Sequence, residues 1–216
     1  MSTWNVILWD LDGTLTDPKL GITKSVQYAL SHLGIQETNL EKLTAFIGPP
    51  LIESFSRFYD MDSATARRAV DLYREYFAKS GIFENEVVDG IPDLLAHLSQ
   101  GGKTMYIATS KPTVFAIQIV HHFRMDGYFQ DVIGSNLDHT RTEKHEVIQY
   151  VLSLLHQHPK ADIVMIGDRK HDVLGATKNG IDSIAVEFGY GSHEELVDAN
   201  PTLIANSVTE LTRILS

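Results

Sequence analysis

Residues 4–17 read WNVILWDLDGTLTD. Four core-type side chains, Val6-Ile7-Leu8-Trp9, run directly into two carboxylates, Asp10 and Asp12, and then a glycine, Gly13. An unbroken apolar run of this length fits a strand covered on both faces. Side chains two apart leave a strand on the same side, so Asp10 and Asp12 start out together where the chain leaves the core. Like charges that close repel, and something elsewhere in the chain must offset them.

Similar short runs recur at Thr104 to Ala108, Asp131 to Ile133, Ile163 to Ile166 and Ser183 to Val186. Helix-period segments at Thr113 to Phe123, Glu143 to Leu155 and Asp172 to Asn179 separate most of them. Apolar strands alternating with helices predict an α/β fold, a doubly wound parallel sheet with helices on both faces. From Pro18 to Glu84 the rhythm changes and every segment has a helical period. Leu20 to Leu33, Leu40 to Phe46 and Leu51 to Phe58 read as three helices. A fourth is capped by Asp62 or Ser63, carries Ala66, Ala69, Val70, Tyr73, Tyr76 and Phe77 at helical spacing, and has Gly81 just past its end. The expected organisation is a sheet core of residues 1–15 plus 87–216 with an inserted all-helical domain, 16–86. The two crossings, near Thr14 to Pro18 and Glu84 to Asp89, are placed to act as hinges.

The 216 residues are 43% hydrophobic, which suits a packed globule, and contain no cysteine. Disulfides, thiolate metal sites and cysteine nucleophiles are therefore excluded, and a reducing, cytoplasmic location is expected. The first apolar run is too short for a signal peptide, and no stretch approaches the roughly 20 apolar residues of a membrane span. A formal charge of −10 argues against a nucleic acid polymer as partner. A small phosphorylated metabolite remains compatible, because a few local cations, backbone amides or a bound metal can meet it.

Ligands of open parallel sheets bind at the carboxyl ends of the strands. After the first strand come Asp10, Asp12 and Gly13. After Ala108 come Thr109, Ser110 and Lys111. After Ile166 come Gly167, Asp168 and, four on, Asp172, within GDRKHD; Lys144 opens the helix leading into that strand. Carboxylates gathered at one sheet edge suit a hard divalent cation that prefers oxygen ligands, Mg²⁺ first among them. The lysine, the hydroxyls and the turn amides of Leu11 to Gly13 suit a phosphate. Each piece has a plainer reading. A D-x-D-G ends many strands, Thr109 or Ser110 can cap the following helix, Lys144 can be a solvated helix residue, and GDRKHD can be a turn and helix start. An EF-hand is excluded, since its sixth and twelfth positions counted from Asp10 hold Leu15 and Gly21. The pairs His121-His122 and His156-Gln157-His158 lack metal-binding helical spacing and read as surface residues.

DLDGTLTD, ATS, Lys144 and GDRKHD, in that order, resemble the haloacid dehalogenase superfamily of phosphatases, and the similarity covers essentially the whole chain. The resemblance implies a Rossmann-like core with a helical cap inserted after the first strand. It implies Asp10 as nucleophile, forming an aspartyl phosphate, and Asp12 as the acid and base that protonates the leaving oxygen and then activates water. It implies phosphate binding by Thr109, Ser110, Lys144, Leu11 and Gly13. Mg²⁺ would be held by Asp10, the Asp12 backbone carbonyl, Asp168 and Asp172. The acid at Asp12 points to a phosphatase or phosphomutase, and Gly48-Pro49-Pro50-Leu51, without a cation, argues against a mutase. DGTLTDPKLGITKSVQYAL, FIGPPL, ATSKPTVFA and GSNLDHTR resemble the 5'-nucleotidase branch, with phosphoglycolate phosphatase or a general sugar-phosphate phosphatase as the alternative, and a phosphate-binding module without turnover as a rival. Lys24, Gly48 and Pro49 are the candidate substrate contacts in the helical insertion.

Overall fold

A computed structural model describes residues 4–138 and 140–216; His139, inside the GSNLDHTR segment, lies outside the described residues. In chain order the elements are β1 (Val6–Trp9), β2 (Thr16–Asp17), α1 (Lys19–His32), a 3₁₀ turn (Leu40–Phe46), α2 (Leu51–Tyr59), α3 (Ser63–Tyr76), a π turn (Phe77–Gly81) and β3 (Glu86–Val87). They continue with α4 (Ile91–Gln100), β4 (Thr104–Pro112), α5 (Thr113–His122), β5 (Asp131–Ser135), α6 (Lys144–Leu154), β6 (Ile163–Gly167), α7 (Lys170–Asn179), β7 (Asp182–Val186), α8 (His193–Asp198), β8 (Leu203–Ala205) and α9 (Val208–Leu215). The chain divides into two compact units, Met1–Asp17 with Val87–Ser216, and Pro18–Glu86.

The first unit holds a six-stranded sheet in the order β5-β4-β1-β6-β7-β8, parallel throughout. The fold is the α/β, doubly wound, Rossmann-like sheet expected from the alternation. β1 sits inside it, Trp9 in register with Ile107 on one side and Ile166 on the other. All four of its side chains are buried, which is why it reads as unbroken apolar sequence. Val6 and Leu8 join Val147, Ile148 and Val151 of α6 and Ala176 of α7 in one core cluster. From β1 the chain winds outward through β4 to β5, then returns to β6 on β1's other side. The carboxyl end of β1 is thus where the winding reverses, the usual place for a ligand crevice.

Several features differ from the sequence expectation. β4 does not stop at Ala108 but runs to Pro112, with a shift of register against β5 between those residues. α4, α8, β8 and α9 were not singled out; β8 is a three-residue edge strand, too short for its period to register. In the second unit, Leu40–Phe46 is a 3₁₀ segment started by Asn39, whose side chain accepts from the Glu41 amide at 3.0 Å.

The second unit is helical, and no element in it is a strand among the described residues up to Asn85. Asp62 caps α3 by accepting from the Thr65 amide at 2.7 Å. α3 does not end at Gly81 through a cap but widens into the π turn, bringing Gly81 against α1. A Cβ on Gly21 would overlap the Gly81 carbonyl, so this crossing depends on absent side chains. Phe46 packs edge-on against Phe55 at 4.9 Å between ring centres, and both are buried.

Candidate active site

Asp10 and Asp12 follow β1 and are buried, as are Thr109 in the tail of β4, Lys144 at the start of α6, Asp168 after β6 and Asp172 in the first turn of α7. Parallel pairing alone brings these chain-distant residues to one sheet edge. Lys144, only 5% exposed, is no solvated helix residue. Its Nζ meets Asp10 Oδ1 at 2.8 Å and Asp172 Oδ1 at 2.7 Å, and donates to the Ala108 carbonyl at 3.0 Å.

The carboxylates divide into two groups. Asp10, Asp168 and Asp172 each offer an oxygen within 4.8 Å of the others. Asp12 stands apart from that cluster, its Oδ2 ion-paired with Lys111 and its Oδ1 buried without a hydrogen-bond partner among the described residues. Asp168 accepts from the Tyr190 amide at 2.7 Å through Oδ2 and from Thr14 Oγ1 at 3.5 Å through Oδ1. Asp172 also accepts from the Arg169 amide at 3.1 Å, so it serves the helix start and the cluster together. Asp172 is therefore a helix-start residue that also stands in the carboxylate cluster.

Gly13 has φ +83°, and a Cβ there would overlap the Asp168 carboxylate. Only glycine lets the turn after β1 pass so close to Asp168. The turn's amides are not equally available. Gly13, expected as a phosphate donor, donates to the Thr16 carbonyl at 2.7 Å within the tight turn. The amide of Leu11 has no partner among the described residues. Thr109 and Ser110 do not cap α5, whose N-cap position is Pro112 and which has no side-chain cap bond. Thr109 Oγ1 instead accepts from the Lys111 amide at 3.2 Å.

Burial dominates the electrostatics. It pushes Asp168 well above the usual carboxylate range, reinforced by Asp10 and Asp172. It also raises Asp172, to about 6, against the opposing pull of Lys144, and it raises Asp12 against the pull of Lys111. Burial alone would lower Lys144, but Asp10 and Asp172 outweigh it and hold the ammonium form above its ordinary range. Among the described residues, four buried carboxylates here face the ammonium groups of buried Lys144 and of Lys111, whose side chain is nearly enclosed. A divalent cation with oxygen ligands fits the remaining charge and the all-carboxylate donor set of Asp10, Asp168 and Asp172.

Two further partners surround these groups: Lys111, which the sequence already places at a strand end, and Tyr190, which it does not single out. Lys111 directly follows the Thr109-Ser110 pair, and Tyr190 lies in the FGYG segment after β7. The carboxyl end of the fifth predicted strand, Ser183 to Val186, carries the same positional signal as the other strand ends, and it leads to Tyr190. In the helical unit, Lys24 donates to Glu84 Oε1 at 2.6 Å and lines a groove with Gln27, Tyr28 and Tyr76. Gly48, at φ +100°, and Pro49 lie in the turn before α2.

The family model for haloacid dehalogenase-like hydrolases matches residues 7–186. The chain belongs to this family and is one of its phosphatases. A 5'-nucleotidase of Pseudomonas aeruginosa is 50% identical over 97% of this chain and 94% of its own. The tyrosine-protein kinase PtkA of Mycobacterium tuberculosis is 35% identical over 94% of this chain and 69% of its own. The crystal structure of a predicted phosphatase from Clostridium acetobutylicum superposes with a TM-score of 0.94 at 48% identity, covering 97% of both chains. Among the described residues no helix is long and apolar enough to cross a membrane.

Proposed function

We propose that this phosphatase is a Mg²⁺-dependent phosphomonoesterase working through an aspartyl phosphate on Asp10, with nucleoside 5'-monophosphates as its substrates. The observation that carries the chemistry is the buried Asp10, Asp168, Asp172 cluster around Lys144, with Asp12 held separately by Lys111. The substrate class rests on likeness to the Pseudomonas 5'-nucleotidase.

Asp10, Asp168 and Asp172 are the side chains that would hold Mg²⁺, together with the Asp12 carbonyl. When bound, the ion would neutralise charge between the nucleophile and the phosphoryl oxygens. Lys144 fixes Asp10 by one oxygen and adds positive charge where the phosphoryl group must come. The Thr109 hydroxyl accepts from Lys111 N, which leaves its proton for a phosphoryl oxygen, with the Leu11 amide as a second donor and Ser110 beside it. Asp10 attacks phosphorus, and Asp12 gives its proton to the departing alkoxide. Asp12 then takes a proton from the water that attacks the aspartyl phosphate, releasing inorganic phosphate and restoring Asp10. Burial that raises Asp12 suits both roles, because the group must carry a proton and give it up near neutral pH.

The test is phosphate release by purified protein with Mg²⁺ from nucleoside 5'-monophosphates, phosphoglycolate and sugar phosphates. Preference for nucleotides is expected. Preference for phosphoglycolate would move the substrate assignment and leave the mechanism. Release from none of them, or uptake of one phosphate per chain without turnover, would overturn the hydrolase mechanism.

A further inference from the structure

We infer that Lys111 is a positioning residue for proton transfer: its ammonium holds Asp12 by Oδ2 and leaves Oδ1 as the atom that hands a proton to the leaving alcohol. This rests on the phosphomonoesterase mechanism above and adds a residue to it.

Both side chains of the pair are nearly enclosed, 6% exposed for Lys111 and 12% for Asp12. A lysine ordinarily keeps its ammonium in water, and burying one costs rotamer freedom and hydration. Here the backbone is built to send it inward. The register shift after Ala108 carries β4 through Lys111 to Pro112. Ser135 Oγ braces this tail by donating to the Ser110 carbonyl at 2.8 Å. At Gly134 the strand passes so close that a Cβ would overlap the Lys111 carbonyl. The outcome is an Asp12 carboxyl with one oxygen ion-paired and the other buried with no hydrogen-bond partner among the described residues. A carboxyl free to rotate would exchange its two oxygens; one tethered by Oδ2 presents Oδ1 alone.

In the first half-reaction an Asp10 oxygen forms a bond to phosphorus while the phosphorus–oxygen bond to the alcohol breaks. The proton on Asp12 Oδ1 moves to the leaving oxygen, giving a neutral alcohol and an Asp12 carboxylate. That new negative charge appears against the Lys111 ammonium, which is already in place. In the second half-reaction Oδ1 takes a proton from the attacking water as the bond between Asp10 and phosphorus breaks. Lys111 therefore matters in proportion to how much the leaving group needs a proton.

The test compares esters that differ in this need, using kcat/KM, which reports steps only up to the first phosphoryl transfer. In Lys111→Gln, kcat/KM for a nucleoside 5'-monophosphate should fall about 100-fold, the scale of general-acid assistance, and that for p-nitrophenyl phosphate less than about fivefold. Asp12→Asn should show the same selectivity, and the double variant should lose little more than either single one. Lys111→Arg, which keeps the charge, should recover part of the nucleotide rate. Equal losses on both esters would make Lys111 a phosphate ligand and overturn the inference, as would no loss on either. If Lys111→Gln fails to fold by circular dichroism, Lys111→Arg decides: the charge it moves must cost the nucleotide selectively, and an unselective loss overturns the inference. A wild-type protein that hydrolyses neither ester would instead sink the phosphomonoesterase reading.

Discussion

Replacing Lys144 by methionine keeps most of the side-chain volume and removes the charge that sits between Asp10 and Asp172. The ammonium lies 2.8 Å from one carboxylate and 2.7 Å from the other. At an effective dielectric of about 20, each contact is worth roughly 6 kcal/mol of attraction, most of which is offset by dehydrating the ions. What remains when one member of a buried pair is deleted is about 3–5 kcal/mol, because the other charge is left buried and uncompensated. Here the carboxylates left behind lie within 4.8 Å of one another. Lys144→Met should therefore unfold about 4 kcal/mol more easily at pH 7 in chelator, about 8–16 °C in Tm for a chain of this size. The same reasoning says what rescues it. Saturating Mg²⁺ would supply the missing positive charge, and lowering the pH to 5 would protonate Asp172, which titrates near 6 even with the lysine beside it. Urea melts with chelator and with Mg²⁺, at pH 5 and 7, measure all of this. A loss below about 1 kcal/mol, or one indifferent to both pH and Mg²⁺, would refute the picture of Lys144 as the cluster's counter-ion.

Asp10→Asn should abolish phosphate release by more than about 10³-fold yet move stability by no more than about 1 kcal/mol, since losing the Lys144 pair is offset by relief from Asp168; activity and melting curves read the two effects separately. In the metal-free protein burial raises Asp12, Asp168 and Asp172 together, and Asp172 goes from 3.8 to about 6 in the folded state. Between those values the folded form binds the Asp172 proton more tightly, so stability falls as pH rises through the window, by up to about 3 kcal/mol from this group, and Asp172→Asn should remove that share of the slope and leave the share of Asp12 and Asp168. Urea melts of wild type and variant in chelator from pH 4 to 7 test it. Gly21→Ala should destabilise the helical unit by about 1–3 kcal/mol, because its Cβ would overlap the Gly81 carbonyl; proteolysis or hydrogen exchange within residues 18–86 measures the change.

How much was legible varies residue by residue. Asp10, Asp12, Thr109, Lys144, Asp168 and Asp172 could be nominated because a parallel sheet sends every strand's carboxyl end to one edge, and each follows a strand or opens the helix before one. Lys111 stands at the same strand end, but its pairing with Asp12 is not legible there, since nothing local announces that β4 continues past Ala108 with a shifted register. Gly13 went the other way. Its type was right for a tight turn, but a one-dimensional string does not say that Thr16 would take its amide.

The amino-acid sequence by itself determined the α/β alternation, the helical insertion and the candidate acids, because these rest on periodicity and on residue type at strand ends, which are local properties. Only the tertiary structure decided how the charges are shared: Lys144 between Asp10 and Asp172, Lys111 on Asp12, and the Tyr190 amide on Asp168. Those pairings join residues as distant along the chain as Asp10 and Lys144, and Coulomb attraction depends on distance in space and on burial, neither of which is written along the chain.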